Sequence, residues 1–244
     1  MKKTLYVDFS WYPIPKKLKE ILKIKGPFHL IKKFFYKYIF FVYLIFSKKT
    51  DFEFQKIKYH YFYHPYNITW ANERIVEIPI IKRKIDSFQG KEILEVGNVL
   101  SHYFSVNWDI LDKYERGEDV INKDVVKFKP EKKYDLIVSI STLEHVGWDE
   151  IPKNPKKILL AIKNLKENCL KENGEILMTL PINYNLVMDK LLFSGKLVFD
   201  EKYYLKRISW DNKWEQSTLE DVRSVKFNSP FIGAQALVVA VIKK

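Results

Sequence analysis

The chain predicts an α/β fold, a mostly parallel sheet that binds its ligand at the carboxyl ends of the strands. Two observations predict it. From residue 91 onward, short apolar runs recur between helical or short polar connections, as in strand–connection–strand units. The first of them, in "KEILEVGNVLSHYF" (91–104), runs through Ile93, Leu94 and Val96, passes Glu95 and reaches Gly97 before a helical signal. A strand handed into a turn by one glycine is where such sheets hold ligands.

The elements follow in order. Residues 1–27 read as irregular, with Pro13, Pro15 and "KGP" at 25–27, and residues 28–46 read as a helix. "DFEFQKIKYHYFYHPYN" alternates aromatic and polar residues, as a strand or hairpin does. "TWANERIVEIPIIKRKIDSF" starts as a helix that Pro79 is expected to interrupt. "EILEVG", "SVNWDILD" (105–112), "EDVIN" (118–122) and "YDLIVSI" (134–140) are the first four strands of the sheet. Residues 154–174 place Ile158, Leu159, Ile162, Leu165 and Leu170 on one helical face, with Asn173-Gly174 as the stop. "EILMTL" (175–180) is a fifth strand, and "KLVFDEKYYLKRISW" and "AQALVVAVIKK" supply two more. The expected division is an extension over 1–89 and a ligand-binding domain over 90–244.

Composition sets bounds. One cysteine, Cys169, excludes an intramolecular disulfide, and no HxH or HExxH spacing suggests a metal. Residues 1–50 hold 12 Lys against Asp8 and Glu20, so almost all of the net charge of +12 sits in an N-terminal arm. The arm lacks arginine up to residue 73, and the rest of the chain is nearly charge-balanced; both speak against nucleic acid as partner. Its start has no continuous apolar stretch of the secretory kind, so a cytoplasmic location is expected. Within 28–46 the uninterrupted apolar run, Tyr38 to Phe46, would span about 14 Å as a helix against a hydrocarbon core of about 30 Å. That leaves two roles for the segment: packing on the main domain, or peripheral contact with the inner face of a membrane through aromatics and lysines.

A resemblance now enters. Glu-x-Gly after strand one, Asp112 after strand two, Asn122-x-Asp124 after strand three and "YDLIVSISTLEHVG" at strand four resemble the class I S-adenosylmethionine-dependent methyltransferases. The likeness is to the small-molecule branch, of methyltransferase type 11/12, whose fourth strand ends in Leu-Glu-His-Val. It covers about residues 90–180. It implies a Rossmann-like, seven-stranded sheet with an antiparallel last strand, and S-adenosyl-L-methionine as cofactor. That ligand has no phosphate, so one glycine is adequate where a dinucleotide would want G-x-G-x-x-G. The family's later glycine positions are occupied here by Val99 and Ser101.

By this resemblance, Glu95, Gly97 and Asn98 would line the methionine part of the cofactor. Asp112 would accept the ribose hydroxyls, with Asp109 as its rival if the register differs. Asp124 would take the adenine amino group, and Ser139 would touch the cofactor or serve the strand alone. Methyl transfer to a hydroxyl is helped by a base. His145 is the first candidate, with packing in its turn as the alternative, and His102 is the second. Glu144 and Arg74 are expected to face the substrate, Arg74 from the polar trio Asn72, Glu73 and Arg74 ahead of strand one. No Asn/Asp-Pro-Pro-Tyr/Phe follows strand four, which speaks against amino methylation of DNA bases, and Cys169 stands in no Pro-Cys loop, which speaks against C5 methylation of cytosine. Two functions result. One is O-methylation of a small polar acceptor such as a sugar or nucleotide-sugar of surface-glycan biosynthesis. The other is a non-catalytic binding module, docked to a membrane or a protein through the arm.

Overall fold

A computed structural model of the chain describes residues 51–244. The expectations for residues 1–50, the helix at 28–46 among them, lie outside these residues.

The described part opens with a hairpin, β1 (Asp51–Phe54) and β2 (Ile57–His60), turned by Gln55 and Lys56 at positive φ. Helix α1 (Arg74–Asp86) follows, then β3 (Ile93–Val96), β4 (Asp109–Leu111), β5 (Val120–Ile121) and β6 (Tyr134–Ile140). Helix α2 (Lys157–Asn164) leads to β7 (Leu170–Pro181). The chain closes with α3 (Leu186–Phe193), β8 (Glu201–Arg207), β9 (Trp214–Ser217), α4 (Leu219–Arg223) and β10 (Ala236–Lys243).

Eight of these strands form one sheet in the order β5-β4-β3-β6-β7-β10-β8-β9. Strands β3 to β7 are mutually parallel, and β10 inserts antiparallel between β7 and β8. The sheet thus has the expected parallel half and antiparallel last strand, with one edge strand, β9, beyond the seven foreseen. The central strands are buried nearly throughout, from Leu136 to Ile140 and from Ala236 to Ile242, because side chains pack on both faces. Their continuous apolar runs follow from that double burial.

Two local expectations fail for physical reasons. Pro79 does not interrupt α1, which continues to Asp86. A proline there cannot donate to the Ile75 carbonyl one turn back. The Phe62 N–H, just past the hairpin, donates to that carbonyl instead at 3.0 Å. The helix also buries Ile75, Val76, Ile78, Ile80, Ile81 and Ile85, so tertiary packing holds it. The helix at 154–174 ends early. After Asn164 comes a π turn, Leu165–Cys169, and β7 begins at Leu170. Leu170 is buried, as its helical spacing suggested, but as a strand residue opposite Tyr134. Asn173, with φ of 64°, and Gly174 lie in a bulge, since the next pair is Leu136 with Glu175.

The parallel half is lightly covered. Strand β4 spans three residues and β5 two, shorter than their apolar runs suggested. No helix stands between β3 and β6; one 3₁₀ turn, Leu100–His102, follows β3. Loops therefore crowd the carboxyl ends of these strands, where the site lies.

Candidate active site

Strand β3 lies between β4 and β6, so the chain leaves it in one direction and returns on the other side. Ligands of open parallel sheets bind at such a reversal. A cavity of about 120 Å³ lies there, bounded by the ends of four strands. Val96 and Gly97 come from β3, Leu111 and Asp112 from β4, Asp124 and Val125 from the turn after β5, and Thr142, His145 and Val146 from the turn after β6. A larger open groove, about 940 Å³ and lined by Tyr59, Pro79, Arg83 and Tyr203, touches none of these strand ends.

Gly97 makes the turn. Its φ is +91°, and its N–H donates to the Leu111 carbonyl at 2.9 Å. A Cβ at this position would lie 2.2 Å from Thr142 Oγ1, so glycine is required both by conformation and by space. Glu95 closes the turn from below. Its Oε1 accepts the N–H groups of Val99 and Leu100, both at 2.8 Å, and its Oε2 accepts Trp108 Nε1 at 3.0 Å. Burial raises the Glu95 pKa, with these donors acting in opposition. Its carboxylate thus faces the protein. The loop that lacks the later glycines is held by a side chain.

Asn98 and Asp112 join the two strand ends. Asp112 Oδ2 accepts the Asn98 N–H at 3.2 Å, and Oδ1 accepts the Tyr114 and Glu115 N–H groups at 2.8 Å each. Asn98 Nδ2 donates to Glu115 Oε1 at 2.7 Å. Asp109, the rival of Asp112, instead accepts the Tyr134 hydroxyl at 2.8 Å and lies at the start of β4. Ser139 is fully buried and donates to the Val96 carbonyl at 3.1 Å, tying β6 to β3 away from the cavity wall.

Asp124 lies in a four-charge network. Its Oδ2 meets Lys157 Nζ at 2.6 Å and Lys113 Nζ at 3.0 Å, and both lysines also reach Glu150, at 2.7 and 3.2 Å. Burial pushes the Asp124 carboxyl up, but the hydrogen bonds from Lys157 and Lys113 outweigh it and bring the pKa to about 2. Nothing in the sequence spacing announced these two lysines, which come from the turn after β4 and the first residue of α2.

His145 borders the cavity, and its Nδ1 is 2.5 Å from Asp149 Oδ2. The Tyr184 hydroxyl donates to the same oxygen at 2.6 Å, and its ring meets the imidazole edge-on at 4.6 Å. Burial alone would raise the Asp149 pKa; the bonds from His145 and Tyr184 lower it. Asp149 was legible as the acid four residues after His145, while Tyr184 belongs to a distant loop. Across the imidazole, Nε2 is 3.5 Å from Glu144 Oε1. His102 is not on the cavity wall; it pairs with Glu115 at 2.9 Å and stacks on Tyr66 at 4.5 Å. Arg74 and Glu144 share a buried acidic cluster beside His145, with Arg74 bonded to Glu77 at 2.6 Å.

No protein-family model matches the chain, and no curated protein matches it in sequence. In structure it is similar to the N-methyltransferase NodS from Bradyrhizobium japonicum, solved with S-adenosyl-L-homocysteine. That pair is 12% identical over 70% of this chain and 87% of the other, with a TM-score of 0.44. A SAM-dependent methyltransferase from Archaeoglobus fulgidus is 16% identical over 73% of this chain and 98% of the other, with a TM-score of 0.42. A possible histamine N-methyltransferase from Thermotoga maritima is 11% identical over 70% and 91%, also with a TM-score of 0.42. In the sheet order, the antiparallel β10 is set beside the five parallel strands. The chain has a Rossmann-like α/β fold, a mostly parallel sheet with an antiparallel last strand. The cavity at the ends of β3, β4, β5 and β6 combines the Gly97 turn and the Asp112 carboxylate with the apolar side chains of Val96, Leu111, Val125 and Val146.

Proposed function

We propose that the chain is an S-adenosylmethionine-dependent methyltransferase acting on a hydroxyl of a small polar acceptor, such as a sugar or nucleotide-sugar of surface-glycan assembly. The Gly97 turn carries this reading: a glycine required by conformation and space, opening a cavity that has the Asp112 carboxylate on its wall. The cofactor, when bound, supplies an electrophilic methyl group on a sulfonium. Asp112 would accept the ribose hydroxyls, and Asp124, ionised at neutral pH, would accept the adenine amino group. Val96, Leu111, Val125 and Val146 exclude water from the nucleoside. His145 would serve as base. Asp149 would accept a hydrogen bond from Nδ1–H, the tautomer that keeps the proton off Nε2, so that Nε2 can accept the hydroxyl proton as the acceptor oxygen is methylated.

A second reading has one observation in its favour. Asp124 already holds two lysines, so an adenine would have to share or displace them, and a non-catalytic binding module needs neither. For either reading we propose that residues 28–46 supply peripheral membrane contact. Among the described residues no helix is long and apolar enough to cross a membrane.

Calorimetric titration with S-adenosylmethionine and S-adenosylhomocysteine tests the proposal. Micromolar binding, about −8 kcal/mol, supports it. Binding of neither by a folded chain rejects it and leaves the binding module in the lead.

A further inference from the structure

Beside His145, Arg74 pairs with Glu77 at 2.6 Å, and the charges of Glu73 and Glu144 also act on its guanidinium. Glu77 and Glu144 are 0% and 1% exposed. Two of the three carboxylates have assigned work: Glu77 holds Arg74 and the Ser141 hydroxyl, and Glu73 accepts the Ala234 N–H at 2.9 Å. Glu144 Oε2 is buried and has no hydrogen-bond partner. Burial raises the Glu144 pKa well above its ordinary value, and the nearby Glu77 charge adds to this. Fully ionised, the cluster carries three negative charges against one positive. A buried carboxylate left without a partner is costly to ionise. Such a deficit is relieved by a cation.

The neighbouring aromatics suit a cation too. Tyr66 and Tyr103 stand at 79° with ring centres 5.4 Å apart, and both sense the Arg74 charge. Tyr66 is 46% exposed, and its ring stacks on His102 at 4.5 Å. A tyrosine ring face attracts an ammonium group within about 6 Å of its centre. A metal ion fits less well, since no group of metal-ligating side chains stands among the described residues.

We propose that Glu144, with Glu73 and the Tyr66–Tyr103 pair, binds the ammonium group of an amine-bearing acceptor, an amino sugar being the class that also offers a hydroxyl to His145. This specificity rests on the methyltransferase reading, because it names that reaction's substrate class. The amine is the recognised group, and the hydroxyl remains the methylated one. Glu144 Oε1, 3.5 Å from His145 Nε2, links the two functions in space.

The test is calorimetric titration of the full chain with three amines (glucosamine, ethanolamine and spermidine) and two neutral counterparts (glucose and ethylene glycol). At least one amine is expected to bind about tenfold or more tightly than its neutral counterpart, equivalent to about 1.4 kcal/mol. Glu144→Gln should abolish most of that preference while S-adenosylhomocysteine affinity stays unchanged. Should Glu144→Gln fail to fold, Glu73→Gln is expected to give the same loss. No amine binding, equal binding of amine and neutral probes, or a preference that survives in the folded variant overturns the proposal. The two readings fail separately. Amine selectivity without S-adenosylhomocysteine binding removes only the methyltransferase, and the converse removes only the amine site.

Discussion

Gly97→Ala is the sharpest perturbation of the proposed site. The new Cβ would lie 2.2 Å from Thr142 Oγ1, 2.7 Å from Cγ2 and 2.9 Å from Cβ. No Thr142 rotamer relieves the contact with Cβ. Overpacking of this kind costs about 1–3 kcal/mol, and left-handed backbone at an alanine adds about 1–2 kcal/mol. The expected loss is therefore about 2–5 kcal/mol, or roughly 5–20 °C in Tm for a chain of this size. Urea and thermal melts measure it. A second measurement separates the terms. In a Thr142→Ala background the two nearest atoms are gone and only the 2.9 Å contact with Cβ remains, so the cost of Gly97→Ala should fall by about 1–2 kcal/mol, most of the overpacking part. The backbone part should persist. A Gly97→Ala chain as stable as the parent, still binding S-adenosylhomocysteine, would refute the argument that space and conformation fix this turn.

Four further outcomes are expected. Asp112→Asn should weaken S-adenosylhomocysteine by about 1–3 kcal/mol in calorimetry, the worth of a lost hydrogen bond to a charged acceptor; unchanged affinity removes the ribose assignment. His145→Ala should lower turnover at least about 100-fold with cofactor affinity preserved, and a variant as fast as the parent excludes the base. Asp124 has a depressed folded pKa, so its stabilisation is present above the ordinary carboxylate value of 3.8 and is lost as pH falls toward about 2. The stability gap between parent and Asp124→Asn should accordingly close between pH 4 and pH 2, and a gap constant over that window contradicts the ion network. The chain should pellet with anionic vesicles at low salt and release at high salt, whereas no pelleting at low salt rejects membrane contact by the arm.

The sheet was legible where apolar runs were long and continuous, as in Tyr134–Ile140 and Ala236–Lys243, because double burial leaves an unbroken signal. It was less legible where hydrogen bonding overrode local preference. Pro79 reads as a helix break, yet the Phe62 N–H occupies the carbonyl it abandons. Leu170 reads as the last helical position, yet it is buried as a strand residue. In the site, Gly97, Asp112, Asp124 and His145 could be selected because motif spacing brings strand ends together. Lys113, Lys157 and Tyr184 could not, since their partners lie 11, 33 and 35 residues away along the chain. The same holds for the acidic cluster: Glu77 and Ser141 are 64 residues apart, and only the fold unites them.

The way Glu95 closes its turn decides which substitutions the loop can accept over evolutionary time. The carboxylate reads the main-chain N–H groups of residues 99 and 100 and no side-chain atom of either. Drift at position 99 is therefore free among residues that keep that hydrogen. Only proline, which has none, is barred there, and position 100 is further held by the burial of Leu100. Position 95 has no such latitude, because its two oxygens serve three donors. The sequence rule for this loop is accordingly a fixed acid and one fixed glycine, followed by a residue defined by a single exclusion.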